Sequence, residues 1–424
     1  MSDSGSISMH ALQRVDSALG GVACALLQPL RCLPTRASEH PSRKVLAIKF
    51  WGLGSLQLLT PAIASLRRKH PFAEITFLTL ESNREFAERL GVFDRVLALD
   101  VRGVGWARLA LRIRRLLVEL RGYGYDVVYD FEFFTRFSSI VSLFTGAPRR
   151  HGFESEKVWR GSFHTERFQF NRYWHVARNF RVLAGGENGH NVTAHDTKPL
   201  RFDERDEARA WEALERAGVP PESSFAVLNP NAGELSLERR WPPSMFIELG
   251  QRFASQQDWS IVLIGSKAEH DYTEAIRARI GTARIANLAG KLSTPELAAV
   301  FAQAAVVVTN DSGPMHIAAA MGAPTLGLFG PETPVMYGPI GLRARALYRP
   351  PPCSPCINVH NNKVSSCIYG EAQCLVGLSV AEVHEAALAL AEDRGFELDR
   401  APRRHPRTDS KGDRRSDPTD PHRG

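Results

Sequence analysis

From Lys44 onward the chain alternates short apolar runs with amphipathic ones, and it does so twice. In the first half Lys44-Val-Leu-Ala-Ile-Lys49, Glu74 to Leu80, Arg95 to Leu99 and Tyr125 to Asp130 read as strands. Helical spacing follows Thr60-Pro61, taken as N-cap and first helical residue, and runs again from Arg108 to Leu120. The second half opens with the strand Phe225 to Asn229. An amphipathic stretch from Pro243 to Phe253 and a strand from Ser260 to Ile264 come next. Ser293-Thr-Pro-Glu296 is a capping box for a helix to about Ala304. Val306 to Thr309 and Pro324 to Phe329 are strands, and Ser379-Val-Ala-Glu382 caps a last helix reaching about Glu392. Strands that alternate with helices build parallel sheets. The expected fold class is therefore α/β, with two doubly wound, Rossmann-like domains facing a cleft. Expected boundaries are 43–185 and 223–345, with a polar linker at 186–222. A Cys-rich loop at 346–378 and a C-terminal helix at 379–399 follow. At about 150 residues per domain, 424 residues accommodate this plan.

The two ends differ from the body. Residues 1–42 form a leader in which Ser17 to Leu30 is free of charge and carries Leu19, Val22, Cys24, Leu26, Leu27 and Leu30. That stretch is shorter than the roughly 18–20 residues of a spanning helix. It fits a membrane-surface helix with Arg14, Arg31 and Arg36 near anionic head groups, or a helix docked on the protein itself. Residues 400–424 hold eight Lys/Arg against four Asp and almost nothing to bury, so a disordered basic tail is expected. The net charge is +7 and much of it lies in this tail; no basic face interleaved with aromatics argues for nucleic acid.

Ligands of such sheets bind beyond the carboxyl ends of the strands. The most informative strand end is Thr309-Asn-Asp-Ser-Gly-Pro-Met-His316. A helix starting at Pro314 aims its first amides into the cleft, and such a start is an anion site. Ser312 adds a hydroxyl and Gly313 allows close approach, so Asp311 to His316 reads as a diphosphate seat; the alternative is a plain turn capped by Asp311. Gly330-Pro331-Glu332-Thr333 and Asn229-Pro-Asn-Ala-Gly233 line the same edge. Glu269 is placed to accept from a ribose, and Arg239 and Arg240 to offset phosphate charge. In the first domain Gly52-Leu-Gly-Ser55 follows a strand, but it is not the dinucleotide fingerprint. No Walker lysine motif or H-E-x-x-H is present.

Together these residues resemble glycosyltransferase family 9, the lipopolysaccharide heptosyltransferases, over about residues 43–345. The carriers are Lys44-Val-Leu-Ala-Ile-Lys49 with Gly54 and Thr60-Pro61-Ala62, then Arg240-Trp-Pro242, Gly265 with Glu269-His270, Asp311-Ser-Gly-Pro-Met-His316 and Phe329-Gly-Pro331. The resemblance implies a GT-B architecture and inverting transfer without a catalytic metal. It implies a nucleotide-sugar donor such as ADP-heptose in the C-terminal domain, and a glycolipid acceptor at the N-terminal one. The implied location is the cytoplasmic surface of the inner membrane. Asp311, Ser312, Gly313, Met315 and His316 are the implied donor contacts, with Glu269 on the ribose and Arg240 where the family carries lysine. One position departs: the family's loop reads Gly-Asp, with Asp as general base, and here that position is Ser55. An unassisted serine has no pKa near 7 and does not replace a carboxylate. Asp130 and Glu132, at a strand end in the same domain, are candidates for a displaced base. The alternative function is a catalytically weak nucleotide-sugar binder at the membrane.

Cys353, Cys356, Cys367 and Cys374 cluster in an irregular Pro- and Asn-rich stretch. Four thiolates could hold structural zinc, although the spacing is not that of a zinc ribbon, and reduced or redox-variable thiols are the competing expectation.

Overall fold

The computed structural model describes residues 9–32, 42–154, 158–186, 191–221, 223–233, 236–357 and 366–392. The expected tail at 400–424 and Arg36 lie outside these residues. Twelve strands form two six-stranded sheets. The first holds β1 (Lys44–Ile48), β2 (Glu74–Leu80), β3 (Arg95–Leu99), β4 (Val127–Asp130), β5 (Arg149–Glu154) and β6 (Glu166–Gln169). The second holds β7 (Phe225–Asn229), β8 (Ser260–Leu263), β9 (Ile285–Asn287), β10 (Val306–Asn310), β11 (Thr325–Phe329) and β12 (Ala344–Tyr348). Their orders are β3-β2-β1-β4-β5-β6 and β12-β11-β10-β7-β8-β9. Read from β3 and from β9, both are the same doubly wound order, and every pairing is parallel.

Alternation along β1 shows how the first sheet is covered on both faces. Val45 and Ala47 point into one buried cluster with Phe77 and Tyr129, whereas Leu46 and Ile48 point into another with Leu78 and Val128. Burial on both faces explains why these strands read as continuous apolar runs rather than alternating ones.

Four strands escaped the sequence reading, each for a physical reason. Arg149–Glu154 is polar, yet it buries Arg150 and His151. The Arg150 Nε donates to Phe163 O at 2.7 Å, and the His151 ring stacks on Tyr129 with centroids 4.5 Å apart. Strands β6 and β12 are polar or mixed edge strands, and β9 has three residues. The segment 186–222, expected as a linker, carries a helix at Glu204–Arg216. Asp203 and Asp206 form its capping box, and only Ala210 and Leu214 among its apolar residues are fully buried, so charge hides the stripe.

The C-terminal domain also extends past 345. Leu375, Leu378, Val380, Val383, Ala387 and Leu390 share one core with Ala226, Leu228, Leu326 and Leu328. The Cys-rich stretch and the last helix (Val380–Glu392) are thus part of that domain's body rather than appendages. One smaller correction concerns Thr60. Leu59 is the N-cap of helix Thr60–Lys69 and Pro61 sits in its first turn, because a short helix, Leu53–Gln57, runs into it; the Thr60 hydroxyl donates to Gln57 O.

Candidate active site

Every strand of a parallel sheet ends on the same side, and the polar residues predicted for the donor side gather there. Asn229 ends β7 and donates from Nδ2 to Thr309 Oγ1 at 3.0 Å and to Ser312 Oγ at 2.9 Å. Asn231 donates to Ile264 O at the end of β8. Asn310 ends β10, and its Oδ1 accepts from the N–H of buried Trp241 at 3.0 Å. These bonds tie three strand ends to one another and to Trp241.

The helix Gly313–Ala320 starts from this edge with Ser312 as N-cap. No side chain caps it, and a helix start of this kind suits an anion. Asp311 is not the cap: its carboxylate and carbonyl take the Arg239 guanidinium at 3.2 and 2.9 Å, and Arg239 also donates to Ala232 O. The predicted Arg240 and Glu269 are partners, 3.6 Å apart. The Arg240 guanidinium lies 4.3 Å from the Tyr272 ring centre, while Glu269 closes a capping box with Ser266. The site therefore brings two arginines to one edge, each already paired with an acid. Arg239 was missed as a contact of Asp311; adjacency in sequence could not distinguish it from Arg240.

The loop after β1 reaches across to this edge. Gly54 is buried, and a Cβ placed on it would lie 2.6 Å from His316 Cδ2 and 3.0 Å from Gly313 Cα. A Cβ on Gly313 would lie 3.2 Å from the Gly54 amide nitrogen. Only glycine at both positions lets the two helix starts, one from each domain, meet at this range. Gly52 has φ +83°, and Ser55 is half-buried one turn on. Ser55 follows Gly54 in the chain, and Gly54, Gly313 and His316 therefore share one contact between domains. Two further bonds flank it: His175 Nε2 pairs with Gly338 O at 3.0 Å, and Gln57 Nε2 donates to Lys198 O at 2.6 Å.

Both residues proposed as displaced bases are buried and already paired. Asp130 is fully buried and paired with Arg160 through a hydrogen-bonded ion pair, with Ser138 Oγ at 3.0 Å and His164 Nε2 at 3.1 Å. Burial acts to raise its carboxyl, but Arg160, His164 and the Glu132 N–H outweigh that and hold it below the usual range. Glu132 is equally buried. Its Oε1 accepts from the Phe50 and Trp51 N–H at 2.7 and 2.9 Å, and its Oε2 lies 3.4 Å from the Lys49 ammonium. The first carboxylate fixes the loop after β4, and the second fixes the root of the Gly52–Ser55 loop.

The four clustered cysteines line one cavity with Glu238, Pro331 and Tyr369. The stretch is strapped to the Gly330–Pro331 loop by Cys356 and Ile357 N–H bonds to Pro331 O and by a Ser354 Oγ bond to Gly330 O. Burial, with the neighbouring Cys356 and Cys353, pushes the Cys374 thiol up to about 11, which favours the protonated form. Among the described residues no three His, Cys, Asp or Glu side chains converge closely enough to hold an ion. No disulfide joins these cysteines. The zinc expectation does not fit this arrangement.

Two Rossmann-like sheets whose strand ends meet across an inter-domain contact define a GT-B architecture. The family model described as glycosyltransferase family 9 (heptosyltransferase) matches residues 113–365, more than half of the chain. The chain belongs to glycosyltransferase family 9 and is a transferase. It is similar to lipopolysaccharide heptosyltransferase 2 of Escherichia coli K12, at 26% identity over 72% of this chain and 87% of that protein. The solved structure of E. coli ADP-heptose lps heptosyltransferase II superposes with a TM-score of 0.65 at 24% identity, covering 82% of this chain and 98% of that one. E. coli heptosyltransferase WaaC with ADP superposes with a TM-score of 0.57 at 19% identity, covering 82% and 99%.

Proposed function

We propose that this glycosyltransferase moves heptose from ADP-heptose to a lipid-linked saccharide of the lipopolysaccharide core, at the cytoplasmic surface of the inner membrane. The observation that carries the reading is the meeting of the two helix starts. The start at Ser312–His316 suits a diphosphate, and the Gly52–Ser55 loop touching it belongs to the other domain, where an acceptor would enter. Relatives bearing heptosyltransferase names support heptose, and solved relatives whose names include ADP or ADP-heptose support the nucleotide.

In this reading the acceptor hydroxyl attacks the anomeric carbon directly and ADP departs. The first N–H groups of the Gly313–Ala320 helix and the Ser312 hydroxyl stabilise the charge that grows on the leaving diphosphate. Arg239 holds Asp311 in place, and Arg240 stands beside Glu269 at the nucleotide end. Ser55 occupies the position nearest the attacking hydroxyl but brings no carboxylate. The binder alternative rests on that residue alone and is not favoured, since the relatives the chain resembles are named heptosyltransferases.

The test is ADP release from ADP-heptose with and without a heptose-deficient lipopolysaccharide acceptor, alongside other nucleotide sugars. Acceptor-dependent release with ADP-heptose alone supports the reading. Release with another donor overturns the sugar assignment, and donor binding without release under any acceptor favours the binder.

A further inference from the structure

We propose that the N-terminal domain seats on an anionic phospholipid bilayer through the outward faces of two helices that cover one face of its sheet, Met9–Leu27 and Trp106–Tyr123. This deepens the reading above, which places the acceptor in a membrane.

The first helix is docked by one side. Asp16 accepts from the Arg136 and Phe137 N–H groups at 2.8–3.0 Å, at the start of helix Phe137–Phe144. Gly20 lies against the Arg136 side chain, Cys24 is buried with Leu143 and Phe163, and Leu12 packs against the core that holds Leu109, Leu116 and Leu120 of the second helix. Both helices therefore cover the face of the first sheet that carries Leu46 and Ile48. The adjoining side of the first helix leaves Leu19, Val22 and Leu26 60%, 57% and 76% exposed. On the second helix Trp106, Leu111 and Val118 are exposed, and so are Arg108, Arg114, Arg115 and Arg121. Trp159 is exposed too, and its carbonyl accepts from Arg136, beside Gly20.

Charge identifies the occupant. Arg14 and Arg31 are exposed at the two ends of the first segment, and the one acid among its described residues, Asp16, is turned inward. The one acid of the second helix, Glu119, is 2.8 Å from Arg95. Both outward faces thus combine apolar side chains with arginine and offer no unpaired acid. A second copy of this face would set arginine against arginine, whereas anionic head groups neutralise it. Tryptophans such as Trp106 and Trp159 favour the interfacial zone. No described helix is long and apolar enough to cross the bilayer, so the contact is with the surface. Arg136 and Trp159 follow β4 and β5, on the strand-end side of the sheet, so this face adjoins the acceptor entrance.

The experiment uses the full chain and vesicles of phosphatidylcholine with and without phosphatidylglycerol. Co-sedimentation with the anionic vesicles, weakened by salt, is expected. Leu19→Gln/Val22→Gln/Leu26→Gln and, separately, Arg108→Ala/Arg114→Ala/Arg115→Ala should each weaken it at least tenfold. Both leave the thermal midpoint and transfer to a delipidated acceptor unchanged, because all six side chains are exposed. Equal binding to neutral vesicles, binding unaffected by both variants, or a dimer in solution that the variants dissolve would overturn the proposal. Loss of transfer with every acceptor while vesicle binding persists would defeat the functional reading and leave this one standing.

Discussion

Ser55 is where the chain departs from the family it belongs to, and the structure sharpens the consequence. Asp130 and Glu132 were the nearest candidates by sequence, and both proved buried and spoken for. The Ser55→Asp variant is therefore expected to raise kcat for transfer, within the roughly 10²–10⁴-fold that a general base contributes. Steady-state ADP release measures it, and an unchanged or lower kcat would mean that deprotonation does not limit the step. Glu132 makes a different prediction. Glu132→Gln leaves the buried Lys49 ammonium uncompensated and should cost about 3–5 kcal/mol of stability, read as a lower denaturant midpoint. Single residues also explain where sequence reasoning stopped. Strand-end position marked Asp130 and Glu132 as polar and near the site. Their orientation depended on Arg160, His164 and Lys49, which lie far away or carry no local signal. The Asp311–His316 block was legible because its chemistry is concentrated in one turn.

Among the elements, legibility followed burial on two faces. The eight strands that read clearly are mostly apolar throughout. Those that did not, β5 and β6 foremost, carry arginine, histidine and glutamate whose burial or pairing needs partners from elsewhere. The helix Glu204–Arg216 was hidden the same way, and its capping box supplies a test. Asp203→Ala removes the acceptor for the Arg205 and Asp206 N–H groups and should cost about 1 kcal/mol, seen as a modest fall in thermal midpoint with kcat preserved. Gly54→Ala should do the reverse. A methyl there strikes His316 and Gly313 in the opposing helix start, so activity should fall while each domain remains folded. Circular dichroism against turnover separates the two effects.

For the whole molecule, pH-dependent stability follows from three histidines of the first domain that burial holds neutral. Burial holds His70 and His175 down to about 4 and His151 to about 3. The folded protein keeps them neutral, whereas the unfolded chain takes up protons below about 6.5. Their contribution is full above pH 6.5 and is lost as pH falls toward 4 and then 3. Urea midpoints should therefore decline across that range, and a flat profile would contradict the burial of these rings. Two-domain organisation was read correctly in kind because each sheet repeats the same alternation. The extension of the second domain through residue 392 was not legible, since irregular, Cys- and Pro-rich stretches hide their anchoring side chains. The meeting of Gly54 with Gly313 has a kinetic corollary. The backbone of one lobe rests against the helix start proposed as the diphosphate seat, so in that reading the donor is also a wedge. Donor binding then has to part this contact, and substrate addition is expected to be ordered, nucleotide-sugar first, with ADP competing against the donor alone.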